Sequence, residues 1–207
     1  MTRATVTSEK SELSGSARGR RLLRARRELA VTAVRLFEER GFDETTVEEI
    51  AEAADYSAST FFRHFGTKED AVFHDIGERM TTYQALLDDP PPKGETWARM
   101  REVLLENAAY WEDSDPEFAR ARTQLFFREP TLYRRYLAHC DDIERILTEL
   151  LAKQRGTKPE KDVSCEVIAA AAVGAFRAGF AKWLDSGGRL EDHIAAGLDV
   201  MEPIVGT

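Results

Sequence analysis

Ser57, Ser59, Thr60, Arg63 and His64 stand within eight consecutive positions, with the small Ala58 among them. Hydroxyls, a guanidinium and an imidazole this close raise the question of covalent chemistry, but no nucleophile is paired with a base in a recognisable pattern and no carboxylate pair accompanies them. What the stretch offers is donors and acceptors at helical spacing, the equipment with which a helix set in a major groove reads base edges. Thr46 and Lys68, on either side, and Arg20, Arg21 and Arg24, further upstream, supply groups for phosphates.

No other constellation points to catalysis, and none implies a metal or a cofactor. His64, His74, His139 and His193 show no ligand spacing, and Asp141-Asp142 falls on the outer side of a charged helical pattern. His74 and Asp75 read as an ordinary helix pair. Cys140 and Cys165 lie far apart without a CxxC, which predicts reduced thiols, with a redox-sensing pair as the alternative. The net charge of −8 argues against a protein that coats nucleic acid through bulk charge. Residues 1–75 carry slightly more acidic than basic side chains, so contacts to DNA must be local, and the local basic concentration is Arg18, Arg20, Arg21, Arg24, Arg26 and Arg27. No apolar run approaches the roughly 20 residues of a bilayer span. The longest, Val167 to Phe176, stops at Arg177, and no signal-peptide region opens the chain, which predicts a cytoplasmic protein with no membrane partner.

Two short helices joined by a tight turn position the polar stretch. Thr45 or Thr46 caps the first, with Glu48 and Glu49 in its first turn where carboxylates suit the helix dipole. Ile50 and Ala54 face inward, Ala51 is small where the helices cross, and Asp55 sits in the turn, where a left-handed backbone is tolerated by Gly and less easily by Asn or Asp. Ser57 caps the second helix, whose Phe61, Phe62 and Phe65 form its apolar face. A longer helix over about 20–39, with Leu29, Ala33, Leu36 and Phe37 on one face and Gly41 as its stop, completes a three-helix unit. Residues 1–19 cannot bury enough surface to order themselves and read as a mobile arm. The arginines after it either reach phosphates and an adjacent minor groove or form a solvated basic tail.

Leu29 to Val72, with Leu36-Phe37, Arg40-Gly41-Phe42, Thr45-Thr46-Val47, Ile50-Ala51, Ser57, Thr60, Phe65 and Lys68-Glu69 in order, resembles the DNA-binding domain of TetR-type transcriptional regulators. The chain departs from that pattern at Asp55, where the family usually has Gly, and at Phe62, where it usually has a phosphate-contacting Tyr. The resemblance implies C-terminal helices that form a ligand-controlled homodimer, the last two pairing with their mates in a four-helix bundle, and an effector that shifts the spacing of the readers on a palindromic operator. Thr60-Phe61-Phe62-Arg63 and Trp183-Leu184-Asp185-Ser186-Gly187-Gly188 add a weaker likeness to the acyl-CoA-responsive, mycofactocin-type branch.

Beyond the reader, Thr67 caps a fourth helix carrying Ala71, Val72, Ile76, Met80, Tyr83 and Leu87. Asp88 to Gly94, with three prolines, is an extended linker. Helices follow over about 95–112, 116–128 and 130–154, then 160–185 and 190–205, with no period-2 stretch that reads as a strand. The 160–185 helix is unusual in its small residues. Val167, Ala171, Gly174 and Ala178 make one stripe and Ala172, Ala175 and Gly179 another, so neighbouring helices approach closely, either across a dimer dyad or in an ordinary core. Ile194, Leu198 and Met201 on the last helix share the expected dimer face. Trp97, Met100, Leu104, Trp111, Phe126, Phe127, Tyr133, Phe176 and Phe180 form the candidate ligand lining, beside interspersed arginines that include Arg120 and Arg122. Arg177, alone in an apolar helix, either meets an anionic head or pairs with a carboxylate across the dimer.

The expected fold class is all-α: a three-helix helix-turn-helix domain joined by a fourth helix to a larger C-terminal helical ligand-binding and dimerisation domain. Its segments are an arm at 1–19, the reader at 20–66 and the effector and dimer domain at 67–207. The expected function is a sequence-specific DNA-binding regulator, a repressor released by an apolar or amphiphilic effector such as a fatty acid or acyl-CoA. The alternatives are a helical interaction protein that does not bind DNA and, last, an enzyme on a helical scaffold.

Overall fold

The computed structural model describes residues 16–113 and 115–205, and every element among them is helical. Two compact units meet at the peptide between His74 and Asp75. The first therefore includes residues 67–74, which the sequence pattern had joined to the second.

The first unit opens with α1 (Ala17–Arg40), capped by Ser16, whose Oγ accepts from the backbone N–H of Gly19 at 3.0 Å. Most of the arm expected at 1–19 lies outside the described residues, but Ser16 to Gly19 already belong to this helix because Ser16 supplies the cap. Leu29, Ala33, Leu36 and Phe37 are fully buried or nearly so, and Gly41 ends the helix at φ 94. Then come α2 (Val47–Ala53), α3 (Ala58–His64) and α4 (Lys68–Val72). Thr46 with Glu49, and Thr67 with Asp70, form reciprocal capping boxes at the starts of α2 and α4. Between α2 and α3, Asp55 adopts φ 59. The N–H of Tyr56 reaches back to the carbonyl of Ala51 at 2.8 Å and that of Asp55 to Glu52 at 3.1 Å, a Schellman closure that fixes the angle between the two helices. Phe37, Phe42, Ile50, Phe61, Phe65 and Val72 fill the core beneath them.

The fourth helix expected from Thr67 to Leu87 is two helices. After α4 the chain turns through Phe73, His74 and Asp75 and resumes as α5 (Ile76–Asp88). The His74 carbonyl accepts from Arg26 Nε at 3.0 Å instead of continuing a helical ladder, and the Asp75 carboxylate turns to Arg122 instead of capping α5. The second unit continues with α6 (Thr96–Asp113), α7 (Pro116–Arg128), α8 (Pro130–Arg155), a 3-10 turn at Pro159–Lys161, α9 (Val163–Ser186), α10 (Leu190–Asp199) and α11 (Glu202–Val205). The prolines that open α7 and α8 occupy the first turn, where a missing N–H costs nothing, and Gly156 ends α8 in the left-handed region at φ 66. The single final helix expected to Val205 breaks after Asp199, since Pro203 has no N–H for a continuing ladder. The proline linker is pinned to α8, with Pro91 O accepting from Gln154 Nε2 at 2.7 Å.

Helix α9 organises this unit, packing against α8 and α10. The two small-residue stripes go to opposite sides. On the inner side Gly179 lets α10 approach so closely that an added Cβ would lie 2.5 Å from Ile194 Cγ1, and at Gly197 it would lie 3.1 Å from Ala175 Cβ. On the outer side Val167, Ala171 and Ala178 are exposed, and a Cβ at Gly174 would meet nothing within 4 Å. Ile194, Leu198 and Met201 differ from expectation: they are buried inside the protomer, the first two because the apolar face of α10 is consumed by α9 and α6, and Met201 in the turn that follows it. By length and composition α9 could cross a membrane, but half of its apolar window is buried among the other helices.

Candidate functional site

Helix α3 is oriented by its own cap and by a guanidinium. Ser57 Oγ accepts from Thr60 N at 3.2 Å and lies 3.0 Å from Ser59 Oγ and 3.1 Å from Thr60 Oγ1, so the three hydroxyls are arranged together at the start of the helix. Ser57, Ser59, Phe62 and Arg63 are exposed, and Ala58 and Thr60 are partly so. At the far end Arg26 donates through Nη1 to the carbonyl of His64 and stacks 4.5 Å over the Phe65 ring. One member of the basic run is thus an internal staple holding the end of α3 and the His74 carbonyl together. Arg20, Arg21 and Arg24 do remain exposed, with Arg24 paired to Glu28 at 2.7 Å and Glu28 in turn accepting from Tyr56 Oη at 2.7 Å. Those hydrogen bonds, Arg24 first, hold the Glu28 carboxyl below its ordinary range.

Three expected DNA contacts are placed otherwise. Lys68 directs its ammonium at the carbonyls of Phe42 (2.6 Å), Thr45 (3.1 Å) and Asp43 (3.4 Å), over the Phe42 ring at 4.4 Å, so its three donors clamp the loop before α2. Thr46 Oγ1 is engaged with both the backbone and the carboxylate of Glu49. His64 is half-buried with Nε2 unpartnered, and burial, then Arg63 and Arg26, push its pKa below the ordinary 6.5.

In the second unit the structure gathers Trp111, Phe126, Phe176 and Phe180 into one aromatic cluster. Ring centres lie 5.2 Å apart for Trp111 and Phe180, 6.0 Å for Trp111 and Phe126, and 6.0 Å for Phe176 and Phe180. Tyr136 stacks on Phe126 at 4.7 Å, and the half-buried Phe127 and Tyr133 extend the cluster outward. Met100 and Leu104 are fully buried, while Trp97 is spent on Glu202 at 2.8 Å, in a separate cleft with Leu151 and Ile168. Arg177 is exposed on α9 rather than in the cluster. Trp183 locks the corner after α9 instead, donating to Gly188 O at 3.1 Å and Glu112 Oε1 at 3.2 Å. Arg120 Nη1 caps the end of the same helix at the Trp183 carbonyl, 3.1 Å away.

The polar centre of the cluster was not legible as such. Arg122 is 2% exposed, pairs with Asp75 at 2.9 Å and lies 3.7 Å over the Trp111 ring. Burial lowers its pKa and Asp75 opposes that shift. Arg79 lies 4.4 Å over the same ring. Trp111 Nε1 donates to Thr123 Oγ1 at 3.0 Å, and that hydroxyl donates to Ala119 O at 2.7 Å. The available signal was a basic residue on an otherwise apolar face, Arg79 between Ile76 and Tyr83, and Arg122 between Ala119 and Phe126. Cys140 and Cys165 are buried and free, and burial pushes the Cys140 thiol up to about 11. Among the described residues no three His, Cys, Asp or Glu side chains cluster as a metal would require.

A capped helix-turn-helix on three helices, followed by a helical unit with an aromatic core, defines a one-component transcriptional regulator. The family model for bacterial regulatory proteins of the tetR family matches residues 29–73, and that for the MftR C-terminal domain matches residues 94–206. The chain belongs to the TetR family, with a C-terminal domain of the MftR type, and is a ligand-responsive DNA-binding transcriptional regulator. Among its relatives, the regulator TcmR of Streptomyces glaucescens is 32% identical over 74% of this chain and 70% of its own. The candidate mycofactocin biosynthesis regulator MftR of Mycobacterium tuberculosis is 23% identical over 88% of this chain and 92% of its own. The fold is shared with SmeT in complex with triclosan, at a TM-score of 0.66 and 16% identity over 87% of this chain and 90% of that one. It is shared too with Thermus thermophilus FadR in complex with lauroyl-CoA, at 0.53 and 21% over 85% and 92%.

Proposed function

We propose that the chain acts in the cytoplasm as a homodimeric repressor that leaves a palindromic operator when an amphiphilic small molecule enters the second unit. The observation that carries this reading is the two-sidedness of α9. Its inner face delivers Phe176 and Phe180 to the aromatic cluster, while Val163, Val167, Ala170, Ala171 and Ala178 stand exposed on its outer face, the two valines at 70% and 60%. Small and branched apolar residues in an uncovered row suit close packing against the same helix of a second copy. A helix with one face in the ligand core and the other in a dimer interface transmits any shift of the core to the partner. Two α3 helices related by the dyad then meet half-sites about 34–36 Å apart. Ser57, Ala58, Ser59, Thr60 and Arg63 approach base edges, and Arg20, Arg21 and Arg24 approach phosphates. Aromatic walls with two buried guanidiniums support an effector with an apolar body and an anionic head, the class of fatty acids and acyl-CoAs, over a cation.

The test is to recover and sequence the genomic fragments retained by the purified protein, then follow its oligomeric state and its release from such a duplex with and without these amphiphiles. A monomer at micromolar concentration that still binds the site, or equal affinity for site and scrambled duplex, sinks the proposal.

A further inference from the structure

Arg79 and Arg122 face the same Trp111 ring, at 4.4 and 3.7 Å. Both are more than nine-tenths buried, at 8% and 2% exposure, and the buried carboxylate beside them, Asp75, pairs with Arg122. Nε and Nη1 of Arg79 are buried without a hydrogen-bond partner. Its neighbour on α5, the Tyr83 phenol, is pushed up to about 12 by burial and supplies no compensating charge at neutral pH. Among the buried groups two guanidiniums face one carboxylate, and the two unpartnered nitrogens of Arg79 are costly to bury unless an acceptor completes them. Arg79 lines a cleft of about 220 Å³ together with Thr82, Asn107 and Tyr110, and the exposed Glu78 and Glu106 stand at its walls.

We propose, building on the effector reading above, that the Arg79 cleft is the head-group subsite of the effector and takes a single carboxylate. The two unpartnered donors of Arg79, Nε and Nη1, suit the two oxygens of one carboxylate. Glu78 and Glu106 disfavour a head with several, such as the phosphates of a CoA thioester. Guanidinium N–H donors match carboxylate oxygens in both geometry and charge. The effector class is therefore the free acid of an apolar chain or ring, in preference to its thioester.

The experiment uses the full chain, with tryptophan fluorescence and thermal unfolding read against four probes of one chain length: a fatty acid, its methyl ester, its CoA thioester and an alkyltrimethylammonium salt. The acid is expected to bind at least about tenfold more tightly than the ester or the thioester, the usual worth of a charged hydrogen bond. Arg79→Met, which exchanges a buried charge for an apolar chain of similar length, is expected to keep or raise the melting temperature of the ligand-free protein and to erase the preference for acid over ester. Arg79→Lys, kept in case the methionine variant does not fold, should lose part of that preference. Equal binding of acid and ester, a thioester that binds better than the acid, or a preference that survives Arg79→Met overturns the subsite. A thioester that binds better than the acid, or a preference that survives Arg79→Met, leaves the broader reading of an anionic amphiphile standing, whereas equal binding of acid and ester removes its anionic head as well. Binding by the ammonium salt alone, or by none of the four, overturns both.

Discussion

Asp75 and Arg122 form an ion pair at 2.9 Å whose two side chains are 8% and 2% exposed. A pair so buried stabilises little relative to a well-packed apolar pair, but removing one member leaves the other charged and unpaired, at a cost of about 3–5 kcal/mol. Arg122→Ala and Asp75→Ala should each destabilise the second unit by that order. Replacing both with apolar residues of similar volume should recover most of the loss. Trp97, Trp111 and Trp183 all follow Asp75 in the chain, so tryptophan fluorescence in a urea titration reports on this unit alone. Additive single-variant losses would show that the two side chains do not interact.

That pair also marks where the sequence stopped being legible. Caps and stops are local, so Ser57, Pro116, Pro130 and Gly156 reveal helix ends from a few neighbouring residues. Asp55 in its left-handed turn is readable in the same way. Asp75 and Arg122 are 47 residues apart, and a carboxylate next to a histidine looks like solvated helix surface until the tertiary fold brings the guanidinium to it. Lys68 misled for the same reason, since its carbonyl acceptors lie up to 26 residues away. The apolar stripe of Ile194, Leu198 and Met201 was readable as buried, but amphipathic spacing does not say against which helix.

Arg63 and Lys68 should separate when each is changed to Ala. Arg63 is exposed on α3, and if it reads a base edge its loss costs about 1–3 kcal/mol of specific affinity with no change in folding. Lys68→Ala removes the clamp on the Phe42–Thr45 carbonyls, so the first unit should melt earlier and all duplexes should be bound more weakly. Anisotropy titrations paired with melting curves check this. A Lys68→Ala protein with normal stability and only a flatter salt dependence would return Lys68 to the phosphates.

The first unit should lose stability in mild acid through His64. Its folded pKa lies below the ordinary 6.5, with burial as the leading cause and the positive charges of Arg63 and Arg26 adding to it. As pH falls through about 6.5 the unfolded chain takes a proton that the folded chain resists, so stability is complete above that pH and declines below it. Melting curves between pH 7.5 and 5.5 should therefore fall more steeply for the wild-type chain than for His64→Gln. Parallel curves would remove His64 from this account.

Two glycines on opposite faces of α9 give the sharpest test of which surface faces the partner. An alanine Cβ at Gly179 would stand 2.5 Å from Ile194 Cγ1 and 3.3 Å from the Ile194 backbone nitrogen, where α10 itself has to shift. Gly179→Ala should thus destabilise the protomer by about 1–3 kcal/mol, in spite of the better helix propensity of alanine. At Gly174 a Cβ meets nothing within 4 Å, so Gly174→Leu fits the isolated protomer and removes a flexible residue from a helix interior. Its cost should appear only where a second copy packs on the exposed stripe, as a weaker dimer with an unimpaired or slightly higher melting temperature of the protomer. Sedimentation equilibrium and thermal unfolding on the same samples distinguish the two effects. A Gly174→Leu chain that dimerises as tightly as the wild type would take this face of α9 out of the proposed interface.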